Sequence, residues 1–131
     1  MLKFLDKTRN EFLSDKLPSK LRSIVCDIEY YVNSNSEYKT LIVTSVFRTK
    51  EKQQQICKDL GKKYYASVHE YWRGVDIFIK DAPRSYHKKV ADTINEVYPY
   101  GSGRFKTVVL HGSNIPGLGF HLHLQVNDQT V

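Results

Sequence analysis

Two short stretches of this chain carry side chains able to hold a metal ion. His69 and Asp76 stand seven positions apart in Ser67-Val68-His69-Glu70-Tyr71-Trp72-Arg73-Gly74-Val75-Asp76, and His121-Leu122-His123 sets two imidazoles one residue apart. Imidazole nitrogen and carboxylate oxygen are the usual protein donors to a catalytic zinc, which takes three such groups and leaves its fourth position to water. In an extended strand His121 and His123 point to the same face, because side chains alternate. The spacing from His69 to Asp76 leaves room for the chain to turn and present both side chains to one point. His69, Asp76 and His123 are therefore expected to bind a metal, with Zn2+ as the cofactor.

The elements that must position these residues can be read from the pattern of apolar side chains. Residues 40–47, Thr-Leu-Ile-Val-Thr-Ser-Val-Phe, are β-branched and apolar, as in a buried strand. Residues 73–79 read as a second strand, with Val75, Ile77 and Ile79 on one face and Asp76 on the other. Residues 106–111 form a third. Residues 120–126 form a fourth, in which Phe120, Leu122, Leu124 and Val126 face inward and His121, His123 and Gln125 face away. The Gly- and Pro-containing residues 112–119 read as the hairpin loop between them.

Helices occupy the intervals. Over residues 17–33, Leu21, Ile24, Val25, Ile28, Tyr31 and Val32 recur at three- and four-residue spacing, which predicts an amphipathic core helix opened by Pro18. Thr49 can cap a helix that runs to Leu60 and stops at Gly61. Residues 84–97 predict another helix, with Val90, Ile94 and Val97 in the core. The first 16 residues read as an arm or short helix, and residues 127–131 as a frayed tail. The expected fold is α+β: one domain over residues 1–131, with a small, mainly antiparallel sheet and helices packed on one side.

The decapeptide at 67–76 resembles the S-x-H-x-x-G-x-A-x-D signature of zinc D-Ala-D-Ala carboxypeptidases and L-alanyl-D-glutamate endopeptidases, enzymes that cut peptidoglycan stem peptides. His121-Leu122-His123 looks like the H-x-H of the wider group that contains lysostaphin-type enzymes, those carboxypeptidases and the hedgehog signalling domain. Ser45-Val46-Phe47-Arg48-Thr49 resembles the S-G-Y-R-S segment that precedes the signature. The similarity runs from about residue 40 to residue 126, in the same order. It implies a hedgehog/DD-peptidase-like fold and a zinc metallopeptidase, with His69, Asp76 and His123 on the metal. It further implies His121 as general base or transition-state stabiliser, Arg48 on a substrate carboxylate or carbonyl, and Ser67 beside the substrate. Trp72 stands where the signature has Gly, Gly74 where it has Ala, and Val46 where the earlier segment has Gly. Phe120 occupies the position of the acidic base found in many carboxypeptidases, so the proton work falls to His121. If His121 does not take it up, the chain becomes a zinc-holding binding module of the same fold.

Neighbouring residues divide between bland and chemical readings. One of Gln53, Gln54 and Gln55 faces the substrate, with Gln54 the choice, or all three form a polar helix face. Tyr64, Tyr65, Tyr71 and Trp72 line a peptide or sugar groove or pack conventionally. His111 is expected on the surface or behind the ligands, His87 in solvent, and Glu70 as a surface carboxylate or an acid supporting its neighbour. Cys26 and Cys57 each fall in a helical pattern and are expected as buried, reduced thiols.

Bulk properties limit the function classes. At 131 residues the chain suffices for one domain with a real core. Apolar residues make up 40% and charged residues 26%, ordinary for a globular protein. No run approaches the roughly 18 apolar residues of a membrane span, and the N-terminus lacks the pattern of a signal peptide. The expectation is synthesis in the cytoplasm and a monomer; the resemblance implies action on a bacterial cell wall, as a phage endolysin-like or virion-associated enzyme or as a bacterial wall-remodelling one. The net charge of +6 suits an anionic wall, an acidic polymer or nucleic acid, or serves solubility alone. A basic nucleic-acid-binding domain is the rival reading, disfavoured because the basic residues are scattered and no aromatic-basic sheet pattern is present.

Overall fold

The computed structural model describes residues 1–101, 103, 105–112 and 119–127. Its elements run β1 (Leu2–Phe4), α1 (Thr8–Phe12), α2 (Ser19–Asn35), β2 (Leu41–Ser45), α3 (Lys50–Asp59), a 3₁₀ turn (Val68–Tyr71), β3 (Gly74–Ile79), α4 (Arg84–Val97), β4 (Val108–His111) and β5 (His121–Gln125). The strands form one sheet in the order β1-β2-β3-β5-β4. Only the β1–β2 pair is parallel; β2–β3, β3–β5 and β4–β5 are antiparallel. The expected α+β class with a mainly antiparallel sheet is thus what the chain adopts.

Alternation divides the sheet into a dry face and a polar one. Leu41, Val43, Val75, Ile77, Ile79, Val108, Leu122 and Leu124 are all but inaccessible to solvent. They pack against Leu21, Ile24, Val25, Ile28 and Val32 of α2 and Val90, Ala91 and Ile94 of α4 in a single apolar cluster. The two longest helices therefore cover one side, as expected. α3 departs from that arrangement: its buried residues are Gln53 and Cys57, which lie outside the apolar cluster. On the opposite side of the sheet the intervening positions carry Asp76, His121 and His123.

Four expectations need correction. The N-terminal arm contains a strand: Leu2, Lys3 and Phe4 pair with Leu41, Ile42 and Val43, and three residues beside mixed charges are too short to show a strand's period. Val97 continues the apolar stripe of α4 but is 65% exposed, because the helix ends there and Tyr98 packs against the core margin instead. Cys26 is exposed while Cys57 is buried, and both are free thiols; Cys26 follows Val25 on α2 and turns off its apolar stripe. Phe120 precedes β5 and is only half-buried, packed on Phe78 and His87. Most of the expected hairpin loop, residues 113–118, and most of the expected tail, residues 128–131, lie outside the described residues. No helix among the described residues is long and apolar enough to cross a membrane.

Candidate metal centre

Sheet register brings the chemistry together. Asp76 on β3 sits directly opposite His123 on β5, and His121 sits opposite His111 on β4. Flanking Val75, Ile77, Leu122 and Leu124 are locked in the core, so a slip by one residue would move every one of them into water. The apolar face therefore fixes the polar one. Thr44 adds a bond from its hydroxyl to the Asp76 carbonyl (3.3 Å) across an irregularity in β2.

His69 reaches the sheet from the 3₁₀ turn, which is built from its own side chains. Ser67 Oγ accepts the His69 amide proton at 3.2 Å, and Glu70 Oε2 accepts the Ser67 amide proton at 2.6 Å, a reciprocal capping box. Tyr64 donates its hydroxyl to Glu70 Oε1 at 2.8 Å. Glu70 is thereby a structural cap, and Ser67, expected beside the substrate, holds the turn that carries His69 while also bordering the cleft. The Arg48 amide donates to the His69 carbonyl at 3.2 Å and ties the turn to the end of β2.

The two positions that depart from the family signature are both used. Trp72 closes the turn at φ 60°, ψ 33°, the left-handed conformation that glycine takes without steric cost. Its ring stacks on Phe47 (centroids 4.7 Å apart, planes 17° apart) with Lys16 Nζ 5.8 Å from its centroid, contacts that offset the strained backbone. At Gly74 an added Cβ would lie 2.8 Å from Val68 Cγ2, 3.2 Å from His123 Cε1 and 3.4 Å from His69 Cε1. The two imidazoles close over a backbone without a side chain.

The resulting geometry is compact. His69 Nε2 lies 3.2 Å and His123 Nδ1 2.9 Å from the same oxygen, Asp76 Oδ1. One donor atom from each of the three residues falls within 4.8 Å of the others. All three residues are buried, at 2%, 7% and 7% exposure for His69, Asp76 and His123. Burial pushes the Asp76 carboxyl pKa up, but His123 and His69, when protonated on the nitrogens that face it, outweigh burial by hydrogen bonding and charge and hold the group well below the usual carboxylate range. His69 Nδ1 donates to the Val46 carbonyl at 2.8 Å. A carbonyl only accepts, so in the neutral ring that nitrogen carries the proton and Nε2 turns a lone pair toward Asp76. Two imidazoles and a carboxylate converging in this way could hold a metal ion, and the donor set fits zinc.

Further imidazoles surround these three residues. His121 Nε2 is 3.7 Å from Asp76 Oδ2, with about a third of its side chain exposed. The His111 ring stacks on His123 (5.2 Å, 12°) and meets His121 edge-on (5.6 Å, 88°). Burial, followed by the neighbouring His123 and His121, lowers the His111 pKa. All these groups border a cleft of about 440 Å³, together with Arg48, Gln53 and Tyr65, within the size range of ligand sites. Arg48 Nη1 donates to Gln53 Oε1 at 2.7 Å and to Ser67 Oγ at 3.5 Å.

Among the expected site residues, His69, Asp76, His121, His123, Arg48 and Ser67 all reach this cleft. Gln54 does not: it is exposed on α3, and its neighbour Gln53 is the buried residue at the cleft, also donating to the Tyr65 carbonyl at 3.1 Å. Gln53 lies three positions before Ile56 and four before Cys57, the apolar residues of that helix, which is the signal that marks the inward face. His87, expected in solvent, is fully buried. It accepts the Ile79 amide proton at Nε2 (2.9 Å), donates from Nδ1 to the Pro83 carbonyl (3.0 Å) and stacks on Phe78. It satisfies the backbone where β3 ends. Tyr65 borders the cleft, whereas Tyr71 borders a separate surface hollow with Arg73 and Phe105. No protein-family model, curated protein or solved structure matches the chain.

Proposed function

We propose that the protein is a zinc-dependent peptidase that hydrolyses peptide bonds in the stem peptides of bacterial peptidoglycan. The observation that carries this reading is the meeting of His69, Asp76 and His123 within 4.8 Å of one another, in a cleft that also holds two further imidazoles and a guanidinium. When bound, zinc would polarise the scissile carbonyl and lower the pKa of a water in the site.

The chain's own groups supply the rest. His69, Asp76 and His123 hold the ion. His121, beside them and open to the cleft, accepts a proton as the nucleophile attacks and returns one to the leaving amine, work suited to an imidazole near neutral pH. His111 is stacked against the same rings and braces His121 from β4. Arg48, oriented through Gln53, offers the remaining donors of its fork to a carboxylate or carbonyl of the peptide. Peptidoglycan stems carry free carboxylates, so this chemistry suits them, and a net charge of +6 favours an anionic wall.

Phe120 supports a second reading. The position filled by an acid in many carboxypeptidases is here spent on packing against Phe78 and His87, which leaves a zinc-holding module that recognises wall peptides without cleaving them. Digesting purified peptidoglycan with zinc-loaded and chelator-treated protein, and identifying released ends by mass spectrometry, separates the two. Zinc-dependent appearance of new peptide termini supports the peptidase. Intact wall in the presence of zinc-loaded protein rejects it in favour of the binding module.

A further inference from the structure

We propose that Gln125 is a positioning residue that presents Nδ1 of His123 to the metal, by accepting the proton of Nε2 in an orientation locked by the Lys106 backbone. The inference rests on the reading that His69, Asp76 and His123 hold a metal. Gln125 follows His123 by two positions in β5, so both side chains leave the same face of the sheet. Its amide has one end that accepts and one that donates. Gln125 Nε2 lies 2.9 Å from the Lys106 carbonyl, which can only accept, and this fixes the amide: the nitrogen faces Lys106 and the oxygen faces His123.

Gln125 Oε1 lies 3.3 Å from His123 Nε2. Since this oxygen can only accept, Nε2 carries the ring's hydrogen and Nδ1 carries the lone pair, 2.9 Å from Asp76 Oδ1. The anchor is itself held. The Gln125 backbone N–H donates to the Thr107 carbonyl at 2.8 Å, and the Thr107 hydroxyl donates to the Tyr98 carbonyl at 2.6 Å. The two ligand imidazoles thus use opposite nitrogens, each set by an acceptor behind it: the Val46 carbonyl for His69 Nδ1–H and the Gln125 amide oxygen for His123 Nε2–H. The first acceptor is backbone. The second is a side chain and can be replaced.

The experiment compares the parent with Gln125→Leu and Gln125→Glu. Urea midpoints in chelator establish that each folds without metal. Zinc affinity is read by competition with a chromophoric chelator, and the His123 tautomer by imidazole 15N shifts of the metal-free protein at mildly alkaline pH. In the parent, His123 carries its proton on Nε2. Gln125→Leu loses that preference and about ten- to a hundredfold in zinc affinity. Gln125→Glu, whose carboxylate accepts the same proton, stays within a few-fold of the parent. Unchanged affinity and tautomer in the Leu variant overturn the proposal. If the parent binds no zinc, the metal reading fails by itself; the parent's tautomer then decides the role of Gln125, and a proton on Nδ1 of His123 rejects it.

Discussion

Asp76 is the carboxylate of the site, and it is buried. A buried carboxylate without partners is costly, and this one has His123 and His69 within 2.9 and 3.2 Å of a single oxygen. With the His69 proton directed to Val46, a cation between the three residues relieves what is otherwise a crowd of lone pairs. Asp76→Asn keeps the shape and removes the charge; it should abolish zinc binding at micromolar metal in a calorimetric titration, as should His69→Ala and His123→Ala. His121→Ala should keep the metal, since its nitrogen stands 3.7 Å from the other carboxylate oxygen, and should lose about 10²- to 10⁴-fold in peptide hydrolysis. Full activity in that variant would refute its assigned role. The meeting of Asp76 and His123 was legible because both fall at polar positions that alternate with core residues along strands; His69 lies outside the strands and was placed by an interval long enough for the chain to turn. Gln53 was not distinguished from Gln54, because polar residues in a row give no face until the positions of Ile56 and Cys57 are used to orient the helix.

At the scale of elements, the segment carrying His69 depends on a short turn with little intrinsic stability. Its supports are the Ser67–Glu70 capping box and the Trp72–Phe47 stack. Glu70→Ala removes the acceptor of both the Ser67 amide and the Tyr64 hydroxyl. It should cost about 1 kcal/mol of stability, seen as a lowered urea midpoint, with a parallel weakening of zinc binding because His69 loses its fixed entry. His87 predicts a pH effect at the β3–α4 junction. Burial lowers its pKa, so it stays neutral in the folded chain below the pH at which it protonates in the unfolded chain. Between the unfolded value, about 6.5, and the lower folded value, the unfolded state binds more protons. The contribution is therefore complete above about pH 6.5 and is lost as the pH falls through that window. The difference between urea midpoints of the parent and His87→Gln, followed from about pH 7.5 to about pH 5 (roughly one unit above that pKa to one and a half below it), should shrink toward low pH; a constant difference would exclude the effect. Neither element was fully legible. His87 lies between Tyr86 and Lys88, and nothing local reveals that its ring caps the end of a strand.

Across the whole molecule, one face of the sheet stabilises the fold and the other carries the chemistry. α4 was readable at full length, and α2 to within two residues at each end, because their apolar residues repeat through several turns, and the alternation in β3 and β5 separated Asp76 and His123 from Ile77 and Leu122. β1 was not, since its three residues gain their structure only from pairing with Leu41–Val43. Because the three proposed ligands come from the 3₁₀ turn, β3 and β5, metal should bind the folded chain and not the unfolded one. Zinc at about a hundred times its Kd then adds about 2.7 kcal/mol to the unfolding free energy, measured as a raised urea midpoint that Asp76→Asn does not show. The central claim is tested most directly by titrating metal-free protein with zinc and counting ions per chain. The account predicts one tightly held ion in the parent and none in His69→Ala, Asp76→Asn or His123→Ala; a parent that takes up no zinc, or a set of variants that still binds one ion, would contradict it.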